Sequence, residues 1–317
     1  MNELFKVVEK RIKNIPNNPN KKLTKDKFEL VVIVSKPKIS HIKLTKEDIE
    51  NIRKKPIGNE LLKFRKKICK NFKSENLNLL NNNIKTVKIK IKYFAPEILS
   101  LKFSSGKYSL QKNRIKLIKL FKEGSTNHEF FHLATSFYDP KVQTGFSGFQ
   151  QSFYFLSKGI GYGLNEGYTE LLTKRYFNEE IKYRDYSYDI CTFFSSKLEE
   201  IVEKDRMENF YMTADLHSLY NYLLQFDDGD NIIKFIKTLD SLLTKVTSFN
   251  FKKYQVHYEL IECYLAKWYM IKKKQELDKN IIDKNTFDIE IKNYIDSLSN
   301  EKLYLENYVK QKEYSLK

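Results

Sequence analysis

Five consecutive residues near the middle of the chain combine two imidazoles with a carboxylate: His128-Glu129-Phe130-Phe131-His132, the pattern H-E-x-x-H. Residues four apart share one helix face, so His128 and His132 can both reach a metal ion at about 2.0–2.1 Å. Glu129 is the next residue along the helix and is rotated away from the histidine face, so its carboxylate can contact a metal-bound water instead of the metal. The pattern therefore predicts a Zn²⁺ site at which Glu129 is the general base of a hydrolysis.

A structural interpretation competes with the catalytic one. Thr126 and Glu129 also form a T-x-x-E pattern, in which the Glu129 side chain would bond the backbone N–H of Thr126 as a helix capping box. His128 and His132 would then be neutral histidines packed in the core. The five residues alone leave both interpretations open.

A catalytic zinc needs a third protein ligand and an open fourth position. The metzincin extension of H-E-x-x-H is absent, because Thr135 and Tyr138 stand where it requires Gly and His. Downstream, Glu166 and Glu170 are spaced i,i+4 and share a helix face. Ligating imidazoles usually donate their other N–H to a carboxylate, so these downstream acidic residues are the next candidates.

The segment N-E-G-Y-T-E at residues 165–170 resembles the N-E-x-x-x-[DE] second motif of gluzincins, the thermolysin-like and aminopeptidase-like zinc peptidases. By motif position, the resemblance implies that Glu166 is the third zinc ligand and that Glu170 supports His128. We further expect Asn165 to cap this helix and Gly167 to let the two metal helices approach closely.

The resemblance covers residues 115–177, about a fifth of the chain. It departs from thermolysin in the longer interval of 33 residues between His132 and Glu166. Six of the ten glycines fall between residues 145 and 167 and account for the excess. They predict a hairpin or mobile flap at residues 145–148 and a turn at residues 159–163 that brings the second helix onto the first.

Peptide hydrolysis also needs a donor that stabilises the developing oxyanion. Related enzymes use a Tyr or His from the C-terminal helical part. His217 is the first choice here because Asp215 and Ser218 make its surroundings polar. The other candidates are Tyr186, Tyr220 and His257.

Periodicity predicts the elements that position these residues. Residues 30–34 are a β-branched run typical of a buried strand, and residues 87–92 alternate apolar side chains with lysines, as a half-buried strand does. Residues 114–120 predict another strand, with a bulge near Leu117, which we expect to form the sheet edge that pairs with peptide substrate. A capped helix interrupted near Pro56 is predicted over residues 45–71, and a loop at residues 81–83.

These elements predict an α+β fold with a small antiparallel or mixed sheet, a zincin-like pair of metal-binding helices and a mostly helical C-terminal lobe. We divide the chain into an α+β part with the substrate-edge strand (1–125), the metal-binding helices with the Gly-rich flap (126–180) and a helical lobe (181–317). All three are expected to form one compact zincin-like unit.

Composition limits the partners. The net charge of +17 comes mostly from lysine (50, against 7 arginines), whereas phosphate recognition favours arginine, so nucleic acid is an improbable partner. Cys69, Cys191 and Cys263 are widely spaced and are interpreted as reduced thiols. The start lacks the apolar stretch of a signal peptide and no run is long enough to cross a bilayer, which predicts a cytoplasmic protein.

The sequence therefore predicts a zinc-dependent metallopeptidase acting on a peptide or protein substrate. The main alternative is a non-catalytic zinc-binding protein that contacts a partner or nucleic acid through its basic surface. A zinc hydrolase of a non-peptide amide is a third possibility. Substrate specificity, endo- or exo-action and oligomeric state do not follow from the residues.

Overall fold

The structure is a computed structural model that describes residues 33, 42–92, 106–118, 125–140, 143–153, 158–179, 186–245 and 251–314. The described residues form an α+β fold of 11 α-helices with two small sheets of 3 and 4 strands, which confirms the predicted class. No described helix is both long enough and apolar enough to span a membrane. The strand predicted at residues 30–34 lies outside the described residues, apart from Ile33.

The elements have the following bounds. The α-helices are α1 Lys46–Arg53, α2 Gly58–Asn71, α3 Asn78–Thr86, α4 Ser125–Ala134, α5 Tyr162–Phe177, α6 Tyr186–Val202, α7 Lys204–Met212, α8 Leu216–Leu223, α9 Gly229–Lys245, α10 Phe251–Asp278 and α11 Lys284–Tyr314. The strands are β1 Lys88–Lys92, β2 Gly106–Ser109, β3 Arg114–Ile118, β4 Ser136–Asp139, β5 Thr144–Ser147, β6 Gln150–Phe153 and β7 Lys158–Ile160.

The first sheet has the order β1-β3-β2, with β1 parallel and β2 antiparallel to β3. The strand predicted at residues 114–120 is therefore the central strand, and its prediction as the substrate edge is wrong, because both of its sides are paired. Among the described strands β2 lies at the edge beyond β3. Pairing runs unbroken from Arg114 to Ile118, so no bulge interrupts it.

The N-terminal helices form largely as predicted. Thr45 caps α1 in a capping box, with Asp48 N–H donating to Thr45 Oγ1 (3.1 Å) and Thr45 N–H donating to Asp48 Oδ2 (2.8 Å). The helix predicted over residues 45–71 is interrupted at Ile57, whose φ of 50° is left-handed, and α2 begins at Gly58. A Cβ on Gly58 would lie 2.0 Å from the carbonyl oxygen of Ile52, so this sharp turn requires glycine.

The loop predicted at residues 81–83 is wrong, since these asparagines lie inside α3. Asparagine disfavours helix interiors because its amide competes for backbone groups. Here the amides bond distant backbone instead. Asn81 Nδ2 donates to the Ile42 carbonyl (2.8 Å), and Asn83 Nδ2 donates to the carbonyls of Leu133 (2.8 Å) and Ser136 (2.6 Å). Asn83 thereby caps the C-terminal end of α4.

The segment between the H-E-x-x-H motif and residues 165–170 forms the second sheet, an antiparallel meander β4-β5-β6-β7. Of the hairpin or mobile flap predicted at residues 145–148, the hairpin is found: β5 and β6 pair, and the turn between them is at residues 148–149. It is packed into the body of the protein, because Phe146 and Phe149 are buried. Gly148 has a φ of +52°, and a Cβ there would lie 2.3 Å from Asn165 Oδ1.

Helix α5 is packed closely against α6 and α9. A Cβ on Gly167 would lie 2.2 Å from the Cys191 carbonyl oxygen of α6, so the close approach predicted for Gly167 is made to α6 and not to the H-E-x-x-H helix. Asp240 of α9 accepts the N–H groups of Gly161 (2.9 Å) and Gly163 (2.8 Å) at the start of α5. Burial raises the pKa of the Asp240 carboxyl to about 6, although these N–H donors oppose the shift.

Candidate metal centre

Helix α4 places His128 and His132 one turn apart on a buried face. The two residues are 2% and 7% exposed, and their Nε2 atoms are 3.1 Å apart. Glu129 between them is 7% exposed. Phe130 and Phe131 are completely buried, so α4 is anchored in the core while its histidines face α5.

Glu166 of α5 completes a triangle of potential ligand atoms. Its Oε2 lies 3.0 Å from His128 Nε2 and 3.3 Å from His132 Nε2. Bond lengths of 2.0–2.2 Å in a tetrahedral zinc site place two ligand atoms about 3.4 Å apart. Among the described residues, His128, His132 and Glu166 are the group of His, Cys, Asp and Glu side chains that could hold a metal ion.

Glu170 determines how His128 presents its second nitrogen. Its carboxylate is fully buried and its Oε2 lies 3.2 Å from His128 Nδ1. When Nδ1–H donates to Glu170, the Nε2 lone pair of neutral His128 points towards Glu166 Oε2. Two acceptors 3.0 Å apart repel each other unless a cation or proton lies between them. The donor set therefore suits a shared cation, and two imidazoles with a carboxylate are the ligands of many catalytic zinc sites.

The electrostatics of the cluster favour positive charge. Burial lowers the pKa of His128, but the hydrogen bonds to Glu166 and Glu170 outweigh burial and raise that pKa to about 10. Burial alone would raise the pKa of Glu166. The charges and hydrogen bonds of His132 and His128 outweigh burial and hold the pKa of Glu166 well below its usual range. The carboxylates of Glu129, Glu166 and Glu170 surround the two imidazoles, and a divalent cation would offset their negative charge.

Asn165 contacts the other histidine. Its Oδ1 accepts the Phe149 N–H (3.2 Å), which turns its Nδ2 towards His132 Nδ1 at 3.3 Å. The prediction that Asn165 caps α5 is wrong: the helix begins at Tyr162 because Asp240 binds the N–H groups of the first turn. Asn165 instead lies inside α5, beside the His132 ring.

The Glu129 carboxylate lies against the edge strand β2. A Cβ on Gly106 would lie 2.9 Å from Glu129 Cγ, and the backbone N–H of Tyr108 donates to the Glu129 carboxylate. Burial raises the pKa of Glu129, and the neighbouring histidines oppose that shift. The capping-box interpretation requires Thr126 at the N-cap, outside the first turn. Thr126 is instead the second residue of α4.

Tyr188 of α6 is a site residue that the sequence analysis missed. It is half-buried, its ring centroid lies 6.3 Å from that of His128, and its hydroxyl hydrogen-bonds the Glu166 side chain. The charge of Glu166 raises the pKa of Tyr188 well above its ordinary value, and burial adds to this. One of 21 tyrosines offers no spacing signal, because the contact depends on how α6 crosses α5.

The structure does not bring His217 into this cluster. His217 is half-buried on α8, and its Nδ1 lies 3.2 Å from Asn221 Nδ2 one turn along the same helix. Tyr220 directs its hydroxyl at Gly229, where a Cβ would lie 2.2 Å away. His257 lies on α10, and the side chain of Tyr186 is outside the described residues. The buried face of α8 consists of Leu216, Leu219 and Leu223, which leaves His217 on its other side.

The three cysteines are free; Cys191 and Cys263 are buried, whereas Cys69 is exposed. Burial raises the pKa of the Cys191 thiol well above its ordinary value. This suppresses the thiolate that a nucleophile or metal ligand requires.

Comparisons with protein-family models, with curated proteins and with solved structures each find no match to this chain. The residues of the chain itself are therefore the basis for inferring its function.

Proposed function

We propose that this protein is a zinc-dependent metallopeptidase of the gluzincin type. The observation that carries the proposal is the convergence of His128 Nε2, His132 Nε2 and Glu166 Oε2 within 3.0–3.3 Å of one another. A buried carboxylate, Glu129, lies beside that triangle and against an edge strand. A purely structural histidine pair would require neither of these neighbours.

In this proposal His128, His132 and Glu166 would hold Zn²⁺, and the ion would supply Lewis-acid chemistry to the scissile carbonyl and to a water. Glu129 accepts the proton of the attacking water and later transfers it to the leaving amine. Glu170 holds His128 with Nε2 free to bind the metal, since it accepts Nδ1–H. Asn165 lies beside the His132 ring on the other side, with its Nδ2 3.3 Å from His132 Nδ1.

Tyr188 takes the role that was predicted for His217. Its hydroxyl is a hydrogen-bond donor already placed beside Glu166. A small movement of the half-buried Tyr188 side chain would let its hydroxyl donate a hydrogen bond to the developing oxyanion of the substrate carbonyl. Removing one such donor typically slows catalysis about 10²–10³-fold.

The proposal is tested with zinc-loaded protein and a complex mixture of peptides, whose new termini are identified by mass spectrometry. The wild type should cleave peptides, and a zinc chelator should abolish cleavage. Glu129→Gln should bind zinc as the wild type does while losing about 10²–10⁴-fold in rate. Tyr188→Phe should lower kcat when the variant is saturated with zinc.

Two results would contradict the proposal. Equal cleavage by Glu129→Gln and wild type would exclude Glu129 as the base. Zinc bound by these three residues without cleavage of any peptide would indicate a zinc-binding protein that does not hydrolyse peptides.

A further inference from the structure

The outer face of the first sheet carries a dense cluster of cations. We call this cluster the basic sheet face, and its members are Lys88, Lys90, Lys92, Lys107, Arg114 and Lys116. All five of its lysines are exposed to solvent, and Arg114 is half-buried. The opposite side of the same strands is apolar and packs into the core, where the buried residues are Ile89, Ile115 and Leu117.

The pairing of the strands fixes the spacing of these charges. Lys116 on the central strand β3 lies between Lys90 of β1 and Lys107 of β2, so this row has a cation about every 4.8 Å. Lys88 and Arg114 are paired in a second row, which lies two residues along the strands and therefore about 6.6 Å away. The cations of these two rows thus share a patch of about 10 Å by 7 Å.

The described part of the protein leaves the charge of the central row without a counterion. Lys85, just before β1, is paired with Asp48 at 2.9 Å. Among the described residues, by contrast, no carboxylate forms an ion pair with Lys90, Lys107 or Lys116. Like charges directly opposite one another destabilise neighbouring strands. An external surface of negative charge lying over the row would offset this repulsion.

The geometry of the face suits a flat partner. Neighbouring strands of a sheet are rotated by only about 20–25° relative to one another, so three strands present their outward side chains to nearly one plane. Lysine stems are long and flexible, and each can bring its ammonium group to a surface while the strand below stays in place. A planar array of anions can therefore contact all five exposed lysines at once.

From this spacing and charge we propose that the basic sheet face docks the protein on a bilayer that contains anionic phospholipids. Each basic residue close to such a bilayer strengthens binding about fivefold, by attraction between charges that needs no specific pairing. The inference does not depend on the proposed peptidase function. Gly106 and Tyr108 contact Glu129 from the inner side of the sheet, so docking would leave the candidate metal centre on the side facing away from the bilayer.

The composition of the face favours a bilayer over nucleic acid. Arg114 is its single arginine, whereas recognition of nucleic-acid phosphates favours the bidentate fork of arginine. The outward positions of the described strands of this sheet carry no aromatic side chain, and single-stranded nucleic acids are held by stacking on aromatic rings. In number, the cations of this face match the clusters of about four to eight basic residues that bind anionic lipids.

Sedimentation with vesicles measures the docking without reference to any enzymatic activity. The full chain is mixed with sucrose-loaded vesicles of phosphatidylcholine alone, or of two parts phosphatidylcholine to one part phosphatidylserine. We expect binding to the phosphatidylserine vesicles alone at about 0.05 M salt, and its loss at about 0.5 M salt, where charges are strongly screened. Lys90→Gln/Lys107→Gln/Lys116→Gln should weaken binding about 100-fold, because each lysine contributes about fivefold.

Two further variants separate the basic sheet face from the overall net charge of +17. Lys66→Gln/Lys67→Gln/Lys70→Gln removes three exposed lysines of α2 and should bind the vesicles nearly as well as wild type does. Arginine at the same three positions of the sheet face keeps the charge and should keep the binding. The glutamine variant of the sheet face should be at least as stable to urea as wild type, because it removes like-charge repulsion.

Several results would overturn the inference. Wild-type protein that sediments equally with both kinds of vesicle, or with neither, excludes docking through charge. An equal loss of binding in the α2 variant would show that binding follows net charge and not this face, and loss of binding in the arginine variant would exclude charge as the cause. A DNA duplex or single strand that binds this face more tightly than the phosphatidylserine vesicles do, at the same salt concentration, would assign the face to nucleic acid instead.

Discussion

Glu170 offers a sharp test of the metal centre, because it affects the metal only through His128. Its fully buried Oε2 lies 3.2 Å from His128 Nδ1. Replacing such a supporting partner typically weakens metal binding 10–100-fold, which corresponds to about 1.4–2.7 kcal/mol. Glu170→Gln keeps an oxygen that can accept Nδ1–H but loses the charge, so we expect a loss of about tenfold. Glu170→Ala removes the acceptor altogether, and we expect a loss nearer 100-fold.

Zinc affinity would be measured by competition with a fluorescent chelator at fixed pH. Glu208→Gln is the matched control, since Glu208 is also a buried carboxylate but bonds Arg175 (2.7 Å) and Tyr176 (2.8 Å) away from the cluster. It should lower stability without changing zinc affinity. Zinc affinities within twofold of wild type in both Glu170 variants would refute the role assigned to Glu170, as would an equal loss in the control.

Three further changes test the packing around the centre. Gly167→Ala puts a Cβ 2.2 Å from the Cys191 carbonyl oxygen, so urea unfolding should show a loss of about 1–3 kcal/mol; an unchanged stability would contradict this packing. Asn83→Ala removes two hydrogen bonds at the end of α4 and should lower the free energy of unfolding by about 1–3 kcal/mol. Thermal stability equal to that of wild type would contradict this expectation. Asp240 has a folded-state pKa of about 6, above its ordinary 3.8, so ionisation opposes folding. Between pH 4 and 7 the free energy of unfolding of wild type should fall by up to about 3 kcal/mol relative to that of Asp240→Asn. A difference between the two proteins that does not change with pH would refute this expectation.

The parts of the site that depend on local spacing could be predicted from the sequence. His128 and His132 are related by one helical turn, and Glu166 and Glu170 by another, so each pair is held together by helix geometry alone. The structure also brings the two pairs together, as the resemblance to the gluzincin motif pair implies and as spacing alone does not. The strand at residues 87–92 and the Thr45 cap are equally local features, and both are found.

The features that could not be predicted depend on contacts between distant segments. Strand order is one example: no local pattern in residues 114–120 reveals that β2 would add to their free side. The cap of α5 is another, because Asp240 reaches it from a helix far along the chain. Asn81 and Asn83 are helical because their amides find backbone partners elsewhere, and Tyr188 reaches Glu166 through helix packing.

The most direct test of the central claim is anomalous diffraction at the zinc edge, from crystals of protein loaded with one equivalent of zinc. We predict one anomalous peak about 2.0–2.2 Å from His128 Nε2, His132 Nε2 and a carboxylate oxygen of Glu166. A peak located on other residues, such as the exposed Cys69, or no peak among these three, would contradict the proposed metal centre.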